Sequence, residues 1–393
     1  MSETLAVWTS GFNSGLLAED AGFVFNYHAA TPDTLAVSLT MPVRLKSWTS
    51  RSLHPVFQMN LPEGALLEAI RNAIAKIASP DDLTLLRLVG TNQIGRNRFT
   101  RIGEELPKQE TPPESLSEIL KVADSEKLFN ELMSKYALKS GVSGIQPKVL
   151  LETDERATIY ASSWIVKSSG ADYPYLAANE YFCMSAVKEA GLPVSEFHLS
   201  DDGRMFVMKR FDQRPDDGKP IGFEDFCALQ GLGTLEKYSG SYERAVKTID
   251  YYVSPAFLLE SRTRFFTLLV LSVILRNGDA HLKNFGVLYP DPTGEDRKLA
   301  PAYDVVTTVA YLRNDIPALS IDGSKKWWDR KTLIRFGNTR CGLGVSAAQQ
   351  ILERCLDAVS QQSRKLQRYI RQHPPFAEIG RSVLGAWKQG LQL

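Results

Sequence analysis

A short polar stretch that follows a long apolar run carries residue types suited to phosphoryl transfer. Residues 276–285 hold an aspartate and an asparagine five positions apart, Asp279 and Asn284, and a predicted strand follows them. An aspartate can accept the proton of an attacking hydroxyl, and an asparagine amide oxygen can bind a hard cation such as Mg²⁺. A second aspartate, Asp304, lies twenty residues after Asn284 and can reach the same cation from the other side. The spacing predicts a base beside a two-residue metal site.

Each of these residues also has an ordinary structural interpretation. The pattern Asp-x-x-x-x-Asn occurs often by chance, and Asp304 alone could cap the N-terminus of a helix. His281, inside the same stretch, could be a buried histidine that ties the loop backbone together, and this role carries as much weight as a catalytic one. The combination of Asp279, His281 and Asn284 after an apolar helix, with Asp304 downstream, favours the catalytic interpretation.

Phosphoryl transfer also needs a cation on the transferred phosphates. Lys167 ends a predicted strand, residues 163–167, and Glu180 on the next helix could pair with it. The alternative is an edge-strand lysine that prevents aggregation. Residues 140–148 hold two glycines and two serines before another strand, which suits a loop whose backbone amides approach phosphates. A flexible turn is the plainer explanation of that loop.

The elements that must position these residues fall into three regions. The first hundred residues are β-rich, with turn signals at residues 13–15. Their predicted strands are residues 5–8, 22–27 and 35–39. A proline-bearing stretch, residues 104–117, predicts a linker. Strands and one helix, residues 177–190, follow, and the chain is mostly helical from about residue 256.

Composition limits the class of protein. The 393 residues are 44% hydrophobic and 23% charged, which excludes a disordered chain. A net charge of +1 argues against a protein that binds nucleic acid by itself. Four scattered cysteines without a C-x-x-C pair make structural zinc improbable and fit a reducing cytosol. The most hydrophobic segment, residues 265–275, is too short to span a bilayer. We therefore expect a cytoplasmic protein without a membrane segment.

The order of the motifs resembles that of the HipA-like serine/threonine kinases, toxins of bacterial toxin–antitoxin systems. The matching segments are residues 61–64, 143–148, 207–212, 224–229, 279–284 and 303–304. The resemblance covers most of the chain. It implies an α+β, protein-kinase-like two-lobed fold with an extra N-terminal β-rich subdomain and an all-helical C-terminal lobe. The expected boundaries are 1–103 for the subdomain, 104–254 for the kinase N-lobe and 255–393 for the C-lobe.

The resemblance also implies an activity and roles for the matching residues. The activity is ATP- and Mg²⁺-dependent phosphorylation of a protein serine or threonine. Asp279 is the implied base, with His281 and Lys283 beside it, while Asn284 and Asp304 hold Mg²⁺. The implied nucleotide-binding residues are Val142, Ser143, Gly144, Lys148, Lys167, Lys209 (through its backbone), Phe211 and His281.

Family members regulate themselves by phosphorylating serines in the loop before a Gly-x-Gln motif. Many carry a Ser-x-Ser pair, whereas this chain has Gly141 at the first position and Ser143 at the second, with Ser140 displaced by one. Ser143 is therefore the expected autophosphorylation site. A phosphate there adds about −1.5 to −2 charges next to the ATP phosphates and should repel ATP or move the loop.

The resemblance implies partners too. Family targets are aminoacyl-tRNA synthetases, and the usual partner is a helix-turn-helix antitoxin of the HipB type that binds operator DNA, so this chain would meet DNA only through it. One alternative is a kinase-like, non-enzymatic co-repressor that works through the antitoxin, and another is a small-molecule phosphotransferase. The region of residues 90–99 departs from the family pattern. Arg96, Arg98 and Arg101 make a local basic cluster there, which could touch a partner or the DNA backbone but which we expect to form a solvated face.

Overall fold

The structure, a computed structural model, describes residues 4–61, 63, 67, 81–90, 93–106, 116–121, 128, 148–153, 162–168 and 172–393. These residues form a mixed helix and sheet protein. The strands are β1 (Thr4–Thr9), β2 (Phe12–Glu19), β3 (Phe23–Tyr27), β4 (Trp48–Ser50), β5 (Asn97–Arg101), β6 (Lys148–Thr153), β7 (Ser162–Ser168), β8 (Phe197–Leu199), β9 (Met205–Lys209), β10 (Gly222–Asp225), β11 (Gly286–Tyr289) and β12 (Lys298–Leu299). The α-helices are α1 (Pro55–Gln58), α2 (Asp82–Val89), α3 (Leu116–Lys121), α4 (Leu176–Glu189), α5 (Phe226–Leu229), α6 (Tyr242–Tyr252), α7 (Leu258–Ile274), α8 (Arg330–Thr339), α9 (Val345–Gln372) and α10 (Ala377–Gly390). None of the helices in these ranges is long and apolar enough to cross a membrane.

The N-terminal part is a five-stranded antiparallel sheet in the order β4-β3-β2-β1-β5. The strands predicted at residues 5–8 and 22–27 are confirmed as β1 and β3. The turn predicted at residues 13–15 is wrong, because these residues lie inside β2. A Cβ on Gly15 would lie 2.2 Å from the Asn26 carbonyl oxygen, so this glycine allows β2 and β3 to approach closely and does not turn the chain.

The strand predicted at residues 35–39 is also wrong. Asp33–Leu35 is a 3₁₀ helix, and an isolated bridge between Ser38 and Met41 follows. The backbone bonds to side chains instead of a neighbouring strand: Val37 N–H donates to the Tyr27 hydroxyl (2.9 Å) and Leu39 N–H to the Glu224 carboxylate (2.7 Å).

A second sheet has the order β6-β7-β9-β8, with antiparallel neighbours throughout. β7 lies between β6 and β9, so the alternative that Lys167 is an edge-strand lysine is wrong. Helix α4 packs against this sheet and occupies residues 176–189, one position from the predicted bounds. Its buried face is mostly small and apolar, which lets the helix lie close to the strands, and it also holds the polar side chains of Asn179 and Glu180.

The region after residue 255 departs from the all-helical prediction. The strand predicted after Asn284 is confirmed as β11, which pairs with β10 on one side and with β12 on the other in a third, antiparallel sheet. β10 precedes the predicted boundary at 254/255, so this sheet joins the two sides of it. The reason is local: β10 and β11 are buried, so the backbone N–H and C=O groups of each need hydrogen-bonding partners away from water. The long apolar helix α7 forms the centre of the helical part.

A buried carboxylate attaches the N-terminal sheet to the rest of the protein. Glu224, on β10, accepts hydrogen bonds from the Ser38 hydroxyl (2.6 Å), the Leu39 amide (2.7 Å) and the Tyr289 hydroxyl (2.6 Å). Burial raises the pKa of Glu224, and the three donors oppose that effect.

The expectation of a solvated arginine face at residues 96–101 is wrong. Arg96 is buried and donates to the carbonyl oxygens of Thr34 (2.9 Å) and Ala36 (2.5 Å). Arg98 donates to the Gly95 carbonyl oxygen (2.8 Å), and only Arg101 of the three is exposed. The guanidinium groups of Arg96 and Arg98 thus supply hydrogen bonds to loop carbonyl oxygens that have no partner in a strand.

Candidate active site

The loop between α7 and β11 carries the predicted base. It begins at Arg276, whose φ of 55° turns the chain sharply away from the helix. The Asn277 side chain then accepts from the Asp279 amide (3.0 Å). Gly278 donates its N–H to the Thr308 hydroxyl (2.7 Å), and a Cβ at this position would lie 2.0 Å from Asp315 Oδ2. Only glycine fits there without displacing neighbours, so the packing holds the loop in one path.

Asp279 has its carboxylate fixed by a tyrosine. The Tyr238 hydroxyl donates to Asp279 Oδ1 at 2.7 Å, and His281 Nε2 lies 3.8 Å from the same oxygen. The Asp279 side chain is 31% exposed, so a substrate group can approach it from solvent. Tyr238 was not predicted, because nothing in the local sequence around residue 238 indicates contact with a loop forty residues downstream.

The two predicted metal residues lie next to this loop. Asn284 Nδ2 donates to the backbone carbonyl of Asp279 (2.7 Å) and to that of Asp304 (3.5 Å). Asp304 adopts a φ of 54°, an uncommon conformation for a residue other than glycine. It does not cap a helix, since the next helical turn, Thr308–Ala310, has Thr307 at its N-cap. The helix-cap alternative is therefore wrong.

Lys167 connects the central sheet to this region. Its side chain is 2% exposed, and its ammonium donates to Glu180 Oε1 at 2.6 Å. The same ammonium also bonds to the carboxylate of Asp304. The pairing expected between Lys167 and Glu180 is confirmed, and it links β7, α4 and the segment that holds Asp304. A buried ammonium held between two carboxylates keeps a fixed position.

His281 is buried and uncharged. Burial, followed by repulsion from the Lys237 and Lys283 ammonium groups, lowers the pKa of His281 to about 3. Its Nδ1 has no hydrogen-bond partner among the described residues, and its ring packs edge-on against Tyr238 with centroids 5.0 Å apart. A neutral ring cannot serve as a cation for phosphate, so the geometry favours the loop-ordering interpretation of His281.

Lys283 is directed toward the N-terminal part of the chain. Its Nζ lies 2.6 Å from Glu63 Oε1, and Lys237 Nζ lies 2.9 Å from Glu63 Oε2. Burial alone would raise the pKa of Glu63, but the two ammonium groups outweigh it and lower that pKa to about 2. Glu63 lies in one of the motif segments, residues 61–64, yet its contact with the loop was not predicted.

The matching segment 207–212 reaches the site through an aromatic stack. The Phe211 ring stacks on Tyr303, with centroids 5.1 Å apart, and the Tyr303 hydroxyl donates to the Lys283 carbonyl oxygen (2.8 Å). Lys209 lies on β9, where its amide donates to the Glu196 carbonyl oxygen (2.8 Å). The Lys209 amide thus already has a protein acceptor.

Three predicted nucleotide-binding residues, Val142, Ser143 and Gly144, lie outside the described residues, as does Ser140. Lys148 is described through its backbone in β6, opposite Lys167. Among the side chains that the structure describes, no three His, Cys, Asp or Glu residues gather into a metal-binding group. A cation held by Asn284 and Asp304 would take its remaining ligands from outside these two side chains, as Mg²⁺ commonly does from water and substrate phosphates.

Comparison with known proteins relates the chain to one family. A family model described as HipA-like C-terminal domain matches residues 140–363, and one described as HipA N-terminal domain matches residues 5–100. The "Putative kinase Y4mE" of Sinorhizobium fredii is 28% identical over 78% of this chain and 78% of that protein. The "Putative kinase Y4dM" of the same organism is 28% identical over 69% of this chain and 66% of that protein. A Shewanella oneidensis HipA solved with HipB and operator DNA covers 99% of this chain and 98% of that one, with a TM-score of 0.67 and 19% identity, a likeness of fold.

Proposed function

The chain belongs to the HipA-like family, and we propose that it is a serine/threonine protein kinase that uses ATP and Mg²⁺ and acts as the toxin of a toxin–antitoxin system. One observation carries the proposal: four functional residues contact one another in sequence. Asn284 donates hydrogen bonds to the backbone carbonyls of Asp279 and Asp304, and the Asp304 carboxylate forms an ion pair with Lys167. A base, two oxygen ligands and a buried ammonium are the parts that phosphoryl transfer to a hydroxyl requires. The relatives named as kinases support the same activity.

Asp279 acts as the base in this proposal. Its partly exposed carboxylate accepts the proton of the acceptor hydroxyl as that oxygen bonds to the γ-phosphorus of ATP and the bond from this phosphorus to the ADP oxygen breaks, with ADP as the leaving group. The hydrogen bond from Tyr238 holds the carboxylate in one orientation, which reduces the entropy lost on reaching the reactive geometry. The neutral His281 ring orders the loop beside it.

The donor set fits Mg²⁺ and nucleotide phosphates. The Asn284 amide nitrogen donates to backbone carbonyls, so its amide oxygen is the end able to bind a cation. Asp304 supplies the carboxylate ligand, and Lys167, oriented by Glu180, holds phosphate oxygens. Bound Mg²⁺ would neutralise charge that develops on the phosphates.

Regulation and partners complete the proposal. Ser143, outside the described residues, is the autophosphorylation site, and a translation component such as an aminoacyl-tRNA synthetase is the target. A helix-turn-helix antitoxin of the HipB type is the partner, and DNA is met through it. The Shewanella oneidensis complex of HipA, HipB and operator DNA supports that assembly. The net charge of +1 also supports leaving DNA contacts to a partner.

Incubation with ATP and Mg²⁺, followed by intact mass measurement, tests the proposal. We expect wild type to gain phosphate and Asp279→Asn to gain none, because the variant lacks the base but keeps the shape of the side chain. Ser143→Ala should lose that phosphate and become more active. Wild type that gains no phosphate and is not stabilised against heat by ATP and Mg²⁺ would favour the non-enzymatic co-repressor instead.

A further inference from the structure

We propose that Glu63 is a positioning residue for the catalytic loop, so that the N-terminal part of the chain belongs to the catalytic apparatus. The inference rests on the proposed kinase function. Glu63 bonds to Lys283 (2.6 Å) and Lys237 (2.9 Å), and we call these three residues the lysine clamp. Lys283 is thereby reassigned from direct catalysis to holding the loop.

The lysine clamp is strong because it is largely shielded from water. The side chains of Glu63, Lys237 and Lys283 are 17%, 12% and 10% exposed. Without the Glu63 carboxylate, two like charges would share this partly buried space, and the lysines would have to separate.

One arm of the lysine clamp leads to the base. The Lys237 carbonyl oxygen accepts from the Leu282 amide (3.1 Å), which fastens this segment to the loop. The next residue is Tyr238, whose hydroxyl bonds to Asp279. Movement of Lys237 would therefore shift the group that orients the Asp279 carboxylate.

The other arm leads to the metal site. Lys283 directly precedes Asn284, and its carbonyl oxygen accepts from the Tyr303 hydroxyl (2.8 Å). Tyr303 in turn precedes Asp304. Glu63 thus contacts two lysines, one adjacent in sequence to the tyrosine that orients the base and the other adjacent to a proposed metal ligand.

The chain offers a matched control for contact between the same two parts. Ser38 donates to the buried Glu224 carboxylate (2.6 Å), which joins the N-terminal sheet to β10 and not to the loop. Ser38→Ala should weaken the attachment of the N-terminal part while the lysine clamp persists. If both contacts only stabilise the fold, substitutions at Glu63 and at Ser38 should lower the phosphorylation rate to a similar extent. If Glu63 positions the loop, only the substitution at Glu63 should lower that rate.

The test measures the initial rate of ATP-dependent phosphate incorporation, by intact mass, against ATP concentration. We expect Glu63→Gln to lower the maximal rate about tenfold or more, as misplacement of a catalytic group by a fraction of an ångström does, while half-saturating ATP stays within about twofold. Glu63→Asp, which keeps the charge, should recover part of the rate, and Ser38→Ala should keep the wild-type rate.

Lys237→Met provides a second, independent variant, because it removes one ammonium and keeps the Glu63–Lys283 pair. The proposal expects its loss and that of Glu63→Gln to be non-additive in the double variant. A wild-type rate in Glu63→Gln, or additive losses, would overturn the inference. If wild type itself incorporates no phosphate, the proposed function fails first, and the inference fails with it.

Discussion

Replacing Glu63 by glutamine should destabilise the protein by about 3 kcal/mol at about pH 7. The two lysines lower the pKa of Glu63 from 4.5 to about 2, despite burial that acts in the opposite direction. One pKa unit corresponds to about 1.4 kcal/mol, and the side chain is 17% exposed, so solvent screening removes little of the effect. Glutamine keeps the shape but cannot carry the charge that both ammonium groups need.

The sign of the pH dependence follows from the depressed pKa. The stabilisation is complete above the unfolded pKa of 4.5 and is lost as the pH falls toward about 2, where the folded carboxyl takes up its proton. By about pH 4, about 0.8 kcal/mol of it should already be gone. The difference between wild type and the variant should therefore shrink on acidification.

Urea denaturation at about pH 7 and about pH 4, followed by tryptophan fluorescence, measures both effects. Glu105→Gln is the matched control, because Glu105 is an exposed glutamate, and it should leave the midpoint unchanged at either pH. Equal midpoints for wild type and Glu63→Gln at about pH 7 would refute the argument. So would a difference that stays constant between the two pH values.

Three other variants test separate parts of the site, and a fourth, on α10, serves as a control. Lys167→Met removes a charge from a buried pair, so we expect a loss of about 3–5 kcal/mol in thermal denaturation together with loss of phosphotransfer. The pKa of His281, lowered to about 3, means that the folded ring stays neutral while the unfolded chain binds a proton below 6.5. The free energy of unfolding should therefore decrease as the pH is lowered from about 6.5 to about 3. His281→Asn should flatten this dependence of the melting temperature on pH. Gly278→Ala should cost about 1–3 kcal/mol and lower phosphotransfer, because its Cβ would meet Asp315 at 2.0 Å. Gly385→Ala, on an exposed face of α10 with nothing within 4 Å, should instead raise the melting temperature.

The sequence predicted the parts of the site that are close together along the chain. Asp279 and Asn284 lie in one loop, and Asp304 follows only twenty residues later. This short spacing already restricts how far apart the three residues can lie. Lys167 and Glu180 are 13 residues apart on a strand and the next helix, which allows one pairing to be guessed. The strand predicted at residues 163–167 and the helix predicted at residues 177–190 also rest on local residue patterns, and they are confirmed as β7 and α4.

The contacts that hold these parts together join residues far apart in sequence. Glu63 meets Lys283 across 220 positions, and Ser38 meets Glu224 across 186. Periodicity describes which face of an element is buried and not what covers that face. For the same reason Lys283 was assigned to the chemistry of its neighbours, although its side chain turns to a partner that only the folded chain brings near.

The prediction of one basic face at Arg96, Arg98 and Arg101 could have been avoided by recognising that side chains alternate between the two faces of a strand. Arg98 and Arg101 lie on β5, where successive side chains point to opposite faces, so these two occupy different faces of the sheet. Arg96 precedes the strand and is buried by the carbonyls of residues 34 and 36. Three basic residues within six positions therefore cannot present one phosphate-binding surface once the segment is a strand. Arg96 and Arg98 instead donate to loop carbonyl oxygens inside the N-terminal part of the chain.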